Sequence, residues 1–125
     1  MAVYEVSVTA SFPARHGVAL PDGAEEPPHE HQWQVVAVLR AEALDGSGFV
    51  VDFVAAQQAL TSLAAGLAKA NLNEVLGRAA SAERLAEHLA GELAQRLGKG
   101  VYCLRVQEAP GCWAAFYPDP ADGSA

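Results

Sequence analysis

An α+β domain, an antiparallel sheet carrying two helices on one face, is the fold class this sequence predicts, and three observations predict it. Two stretches near the start alternate apolar and polar residues with the period of a strand. Two stretches in the middle carry apolar residues at helical spacing, and two more alternating stretches close the chain. The resulting order, β-β-(β)-α-α-β-β, suits a four-stranded sheet with its helices layered on one side. At 125 residues and 51% hydrophobic content the chain is the size of one domain, expected over residues 1–118, with a flexible tail over 119–125.

The first strand runs from Val3 and ends near His16: Tyr4, Val6, Val8, Ala10 and Phe12 alternate with Glu5, Ser7, Thr9 and Ser11. The second starts at His29 and runs through Trp33 and Val35 to about Leu44, and Asp45-Gly46-Ser47-Gly48 reads as a turn. These two are expected to be antiparallel neighbours. Phe49-Val50-Val51 is expected as a short third strand, and Asp52 as the cap of a helix reaching about Lys69. In that helix Leu60, Leu63, Ala64 and Leu67 keep the i, i+3, i+4, i+7 spacing of a buried stripe, and Asn71-Leu72-Asn73 interrupts it. Ser81 caps a second helix, with Ala82, Leu85, Ala86, Leu89 and Leu93 inward, His88 solvated beside them, and Gly98 as the stop. Val101 to Glu108 alternates again, placing Tyr102, Leu104, Val106 and Glu108 on one face. Pro110-Gly111 turns the chain into a last strand, Trp113 to Tyr117.

Charge and composition exclude several function classes. Fifteen acidic against eight basic residues give a net charge of -7, which disfavours nucleic acid and any other polyanion reached by bulk electrostatics. No apolar run is long enough to cross a bilayer and no basic-then-apolar leader opens the chain, so a cytoplasmic protein is expected. Cys103 and Cys112 are too few for a disulfide scaffold and are not spaced as metal ligands. Cys103 reads as core and Cys112 as a turn residue.

The stretch that carries chemistry is His29-Glu30-His31, with His16 thirteen positions upstream. In an extended strand, side chains two apart leave the same face, so His29 and His31 can aim at one point. The polar loop Pro21 to Pro28 can return the chain to His16. Three neutral imidazoles would hold a zinc ion and leave a fourth position open, the layout of a working metal. The same alternation also occurs on ordinary strands. Glu108, a carboxylate partly withdrawn from water, needs a partner: either a structural one or a ligand bearing N–H groups.

In order and at compatible separations, several segments resemble the 6-pyruvoyl-tetrahydropterin synthase and 6-carboxy-tetrahydropterin synthase family over nearly the whole chain. Phe12-x-Ala14-x-His16 resembles F-x-A-x-H, His29-Glu30-His31 resembles H-G-H with glutamate for glycine, and Gly48 to Phe53 resembles G-x-V-x-D-F. Leu72-Asn73 resembles the Leu-Asn after the helix, Ser81-Ala82-Glu83 the T-x-E of the next helix, and Glu108 falls at the pterin-anchoring glutamate. The resemblance implies a tunnelling fold: three subunits closing their sheets into a barrel, two trimers stacked as a hexamer, sites at the subunit boundaries. It also implies Zn2+ on His16, His29 and His31, with a small-molecule pterin or related ring held by Glu108 through paired N–H donors and by the hydroxyl of Ser81.

Three positions depart from that pattern. Where the family's synthases have a proton-handling cysteine and an Asp-His pair, this chain reads Glu25, Ala68 and Lys69. The usual relay cannot operate. One reading makes Glu25 or its neighbour Glu26 the general base of a divergent zinc lyase, a carboxylate whose pKa burial would raise. A second makes the chain a non-catalytic zinc- and pterin-binding oligomer, and a third a purely structural oligomer. Lys69 could neutralise a phosphate or act as an acid, although eight basic residues would furnish a triphosphate pocket sparsely.

Overall fold

The computed structural model describes residues 2–119. Two thirteen-residue strands, β1 (Tyr4–His16) and β2 (His29–Ala41), pair antiparallel over their whole length, from Tyr4 opposite Ala41 to His16 opposite His29. Then come α1 (Phe53–Leu67), a short α2 (Leu72–Leu76), α3 (Ala82–Leu97), β3 (Cys103–Ala109) and β4 (Cys112–Phe116). The sheet order is β1-β2-β3-β4, antiparallel throughout. This is the expected four-stranded sheet, and α1 and α3 pack on one face of it and on each other.

Period-two burial explains the layering. On β1 the buried residues are Val8, Phe12, Ala14 and His16, and on β2 they include Trp33, Val35, Ala37 and Leu39, all on the helix side. They meet Leu60, Leu63 and Leu67 of α1 and Leu85, Leu89 and Leu93 of α3, each nearly or fully buried. Full burial of one such leucine is worth about 1.5–3 kcal/mol, so this seam dominates the stability of the layer. Each helix is also stopped chemically. Asp52 accepts the Val54 N–H and Ser81 the Arg84 N–H at the N-termini, and Gly98 ends α3 in the left-handed conformation.

Several boundaries differ from expectation. Phe49-Val50-Val51 is not a strand: the side chain of Asp45 accepts the N–H groups of Ser47 and Phe49, and Lys99 Nζ donates to the Val50 carbonyl. With those groups satisfied locally, Val50 plugs the core and Phe49 stays half exposed. β2 stops at Ala41, short of Leu44. α1 stops at Leu67, short of Lys69, because Lys69 turns into positive φ and gives its N–H to Pro13 on β1. The interruption at Asn71-Leu72-Asn73 is itself the start of α2, with Asn71 as cap. Tyr102 does not join Leu104 and Val106 inside. Val101 and Cys103 are buried instead, and Tyr102 lies outward under the Arg40 guanidinium, 3.8 Å from its ring centre. Cys112, expected in the turn, is instead the first residue of β4 and is exposed, and His88 is only partly covered. Of the expected tail, residues 120–125 lie outside the described residues. No helix among the described residues is long and apolar enough to cross a membrane.

Candidate metal centre

Register brings the three histidines together. His16 ends β1 directly opposite His29, the first residue of β2, and His31 stands two residues further along the same face, opposite Ala14. The small Ala14 leaves that space to the imidazole. Ring centres lie 4.9 Å apart for His16 and His29, 5.0 Å for His16 and His31, and 4.6 Å for His29 and His31. One nitrogen from each ring lies within 4.8 Å of the others. The loop between the strands folds as a small hairpin: Glu26 N–H donates to the Val18 carbonyl at 2.9 Å, and Ala19 bridges Glu25. That is how the polar stretch Pro21 to Pro28 returns the chain.

The backbone sets the tautomer of the first ring. His16 is 1% exposed, and its Nδ1 lies 2.6 Å from the Ala80 carbonyl, which can only accept. The proton therefore sits on Nδ1, and Nε2 presents a lone pair to the cluster. His29 Nδ1 donates likewise to the Pro27 carbonyl at 3.3 Å. Trp33 forms the floor. Its ring stands edge-on to His16 at 4.9 Å and to His31 at 5.7 Å, and its Nε1–H is held by the Ala14 carbonyl at 3.2 Å.

Glu108 reaches in from β3, with Oε1 3.1 Å from His16 Nε2 and Oε2 3.9 Å from His31 Nε2. Neither approach has the alignment of a hydrogen bond, and both Nε2 atoms are buried without a partner. Burial chiefly holds His31 below its ordinary pKa of 6.5; Glu108 pulls the other way, and the two neighbouring imidazoles add to the lowering. His31 is therefore neutral near pH 7, the form that binds a metal. Two buried, unpartnered imidazole nitrogens and a third imidazole, flanked by a carboxylate, fit a divalent cation of the borderline kind that N ligands favour.

The other sequence-predicted residues divide. Ser81 and Glu108 line one cleft of about 230 Å³, together with Val18, Glu83, Cys112 and Trp113. The Ser81 hydroxyl is already committed as helix cap, accepting the Arg84 N–H at 3.2 Å. Glu26 lies by the trio, its Oε1 3.6 Å from His29 Nδ1 and accepting the Val18 N–H at 3.3 Å. Glu25 is exposed and makes no ion pair or side-chain hydrogen bond among the described residues. Lys69 is also exposed, its backbone paired to Pro13, three residues back along β1 from His16. A second cleft of about 370 Å³ shares Val18 and Ser81 with the first and gathers Arg78 and Arg84, two of the eight basic residues.

Sequence reasoning did not single out three groups that build the centre: the Ala80 carbonyl, the Trp33 floor and Gly17. A carbonyl leaves no mark in a sequence. Gly17 does: a Cβ there would stand 2.1 Å from the Glu26 carbonyl oxygen, so the glycine lets the returning loop close on His16.

The family described as 6-pyruvoyl tetrahydropterin synthase matches residues 5–119 of the chain. No curated protein sequence matches it. Among solved structures, 6-pyruvoyl tetrahydropterin synthase of Caenorhabditis elegans superposes with a TM-score of 0.80 at 17% identity, covering 95% of this chain and 98% of that one. A Plasmodium vivax 6-pyruvoyltetrahydropterin synthase, in which a glutamate named as a catalytic residue is replaced by alanine, gives 0.77 at 15% identity, covering 95% and 99%. An uncharacterized protein of Wolinella succinogenes gives 0.76 at 17% identity, covering 95% and 100%.

Proposed function

The chain belongs to the 6-pyruvoyl tetrahydropterin synthase family, and from that premise we propose that it is a zinc-dependent lyase acting on the side chain of a dihydropterin, with Glu26 as general base. The observation that carries the metal is the pair of buried, unpartnered Nε2 atoms on His16 and His31. His16, His29 and His31 would hold the ion, which when bound supplies Lewis-acid charge against negative charge developing on the substrate side chain.

The chain's own groups do the rest. Glu108, on the wall of the cleft, accepts paired N–H donors of the ring and fixes its orientation, and Ser81 stands beside it. Glu26 lies against His29, where its carboxylate takes the proton that leaves a side-chain carbon. Of the two adjacent glutamates, position favours Glu26, because Glu25 faces solvent. That a glutamate is named a catalytic residue in the Plasmodium vivax relative supports a carboxylate in this part. Lys69, exposed on the surface, would serve a site shared with a neighbouring subunit. That suits a hexamer of two stacked trimers, with sites at subunit boundaries, in the cytoplasm.

The test is Glu26→Gln beside Glu25→Gln, with zinc content by elemental analysis and products by mass analysis from a panel of dihydropterins. Turnover should vanish in Glu26→Gln with zinc retained, and persist in Glu25→Gln. Undiminished turnover in Glu26→Gln rejects the base. A second reading, a non-catalytic zinc- and pterin-binding oligomer, draws on Ala68 and Lys69 in place of an Asp-His pair. Stoichiometric zinc and pterin binding without turnover by the unaltered protein would establish it.

A further inference from the structure

We propose that Asn73 is a positioning residue for the metal centre: its side-chain amide ties together the two backbone segments that aim His16. The amide oxygen accepts the Gly17 N–H at 3.2 Å and the Ala80 N–H at 3.1 Å, while the amide nitrogen donates to the Gly17 carbonyl at 3.0 Å. Gly17 is the residue after His16, and Ala80 supplies the carbonyl that holds His16 Nδ1 at 2.6 Å. One side chain therefore grips both the backbone that carries the imidazole and, through its N–H, the residue whose carbonyl selects the tautomer.

The arrangement has no slack. Oδ1 faces two donors and Nδ2 faces one acceptor, so turning the amide over would set N–H against N–H. Asn73 is itself held, its N–H given to Asn71 Oδ1 at 3.1 Å in the first turn of α2. His16 is the most deeply buried of the three rings and ends its strand, where sheet register ceases to constrain the backbone. Lateral support past the strand end comes from α2 through this amide. The inference rests on the histidines as metal ligands for its affinity arm only; its tautomer arm concerns the metal-free protein.

The experiment compares the full chain with Asn73→Ala and Asn73→Asp. Asp keeps the size and the two acceptor contacts and replaces the donor to Gly17 with a repelling oxygen. Leu93→Ala, about three turns along α3 in the core, serves as a control that loses stability without touching the clamp. Zinc affinity is measured by competition with a chromophoric chelator, and the His16 ring nitrogens are followed by 15N NMR without metal. Zinc binding should weaken about 10- to 100-fold in Asn73→Ala, the range for losing a group that orients a ligand, and by less in Asn73→Asp. The His16 15N shifts should move from one tautomer towards a mixture in Asn73→Ala. Leu93→Ala should melt earlier with both readouts at their unaltered values. Asn73 variants that melt earlier yet keep the affinity and the single tautomer would overturn the proposal, leaving Asn73 a loop staple only. An unaltered protein that binds no zinc would instead overturn the metal assignment, and the tautomer readout would still decide the role of Asn73.

Discussion

Gly17→Ala is a one-carbon change whose consequence can be worked out from the backbone alone. The added Cβ would lie 2.1 Å from the Glu26 carbonyl oxygen, 3.1 Å from its carbon and 3.4 Å from the Pro27 carbonyl carbon. Ordinary contact begins near 3.4 Å, so the returning limb of the loop must retreat by 1.3 Å from a backbone atom that has no rotamer to yield. That retreat stretches the Glu26 N–H to Val18 bond, now 2.9 Å, and the Val18 N–H to Glu26 carboxylate bond, now 3.3 Å. Overpacking at a tight site costs about 1–3 kcal/mol, and each weakened hydrogen bond about 1 kcal/mol. A total of about 3–5 kcal/mol is expected. The limb that moves carries Glu26 and His29, and binding constellations tolerate misplacement of only about 0.5 Å. Zinc affinity should therefore fall at least about tenfold as well. Urea unfolding and chelator competition measure the two effects. Gly91→Ala is the control: an added Cβ there meets nothing within 4 Å, and helix propensity should raise stability by about 0.5–1 kcal/mol with zinc binding unchanged. If Gly17→Ala matches the unaltered protein in both assays, the close approach does not exist in solution and the geometry of the loop is wrong.

Two further predictions concern the supports of the fold. The Asp45 carboxyl is held below its ordinary range chiefly by the Phe49 N–H, then by that of Ser47. A depressed folded-state pKa contributes stability that is present above the ordinary 3.8 and lost as pH falls through the lowered folded value. Asp45→Asn should therefore be less stable than the unaltered chain at neutral pH, and the gap in urea midpoints should narrow as the pH falls below 3.8; a gap independent of pH would reject the linkage. Ser81→Ala removes the cap of α3 and should cost about 1 kcal/mol by calorimetry with the zinc affinity unmoved. A loss of zinc in that variant would mean Ser81 does more than cap.

Alternation and helical spacing along the chain were sufficient for the strands, the two long helices and their caps, because period and capping chemistry are local. The histidine trio was legible for the same reason. Side chains two apart on a strand share a face whatever surrounds them, and a polar loop with prolines can bring His16 back. What failed locally was decided by where backbone hydrogen bonds go. Val50 looked like strand, but Asp45 and Lys99 satisfied that segment before any sheet edge could. Lys69 looked like helix, but its N–H went to Pro13.

Only the tertiary structure could distinguish Glu26 from Glu25, since a one-residue difference in a loop decides which carboxylate meets His29 and which meets water. It alone showed the peptide of Ala80, sixty-four positions from His16, choosing which nitrogen of that ring is free. Residue types and their spacing can thus announce that imidazoles will converge. The proton on each ring, and the carboxylate beside it, depend on through-space neighbours that no local pattern records.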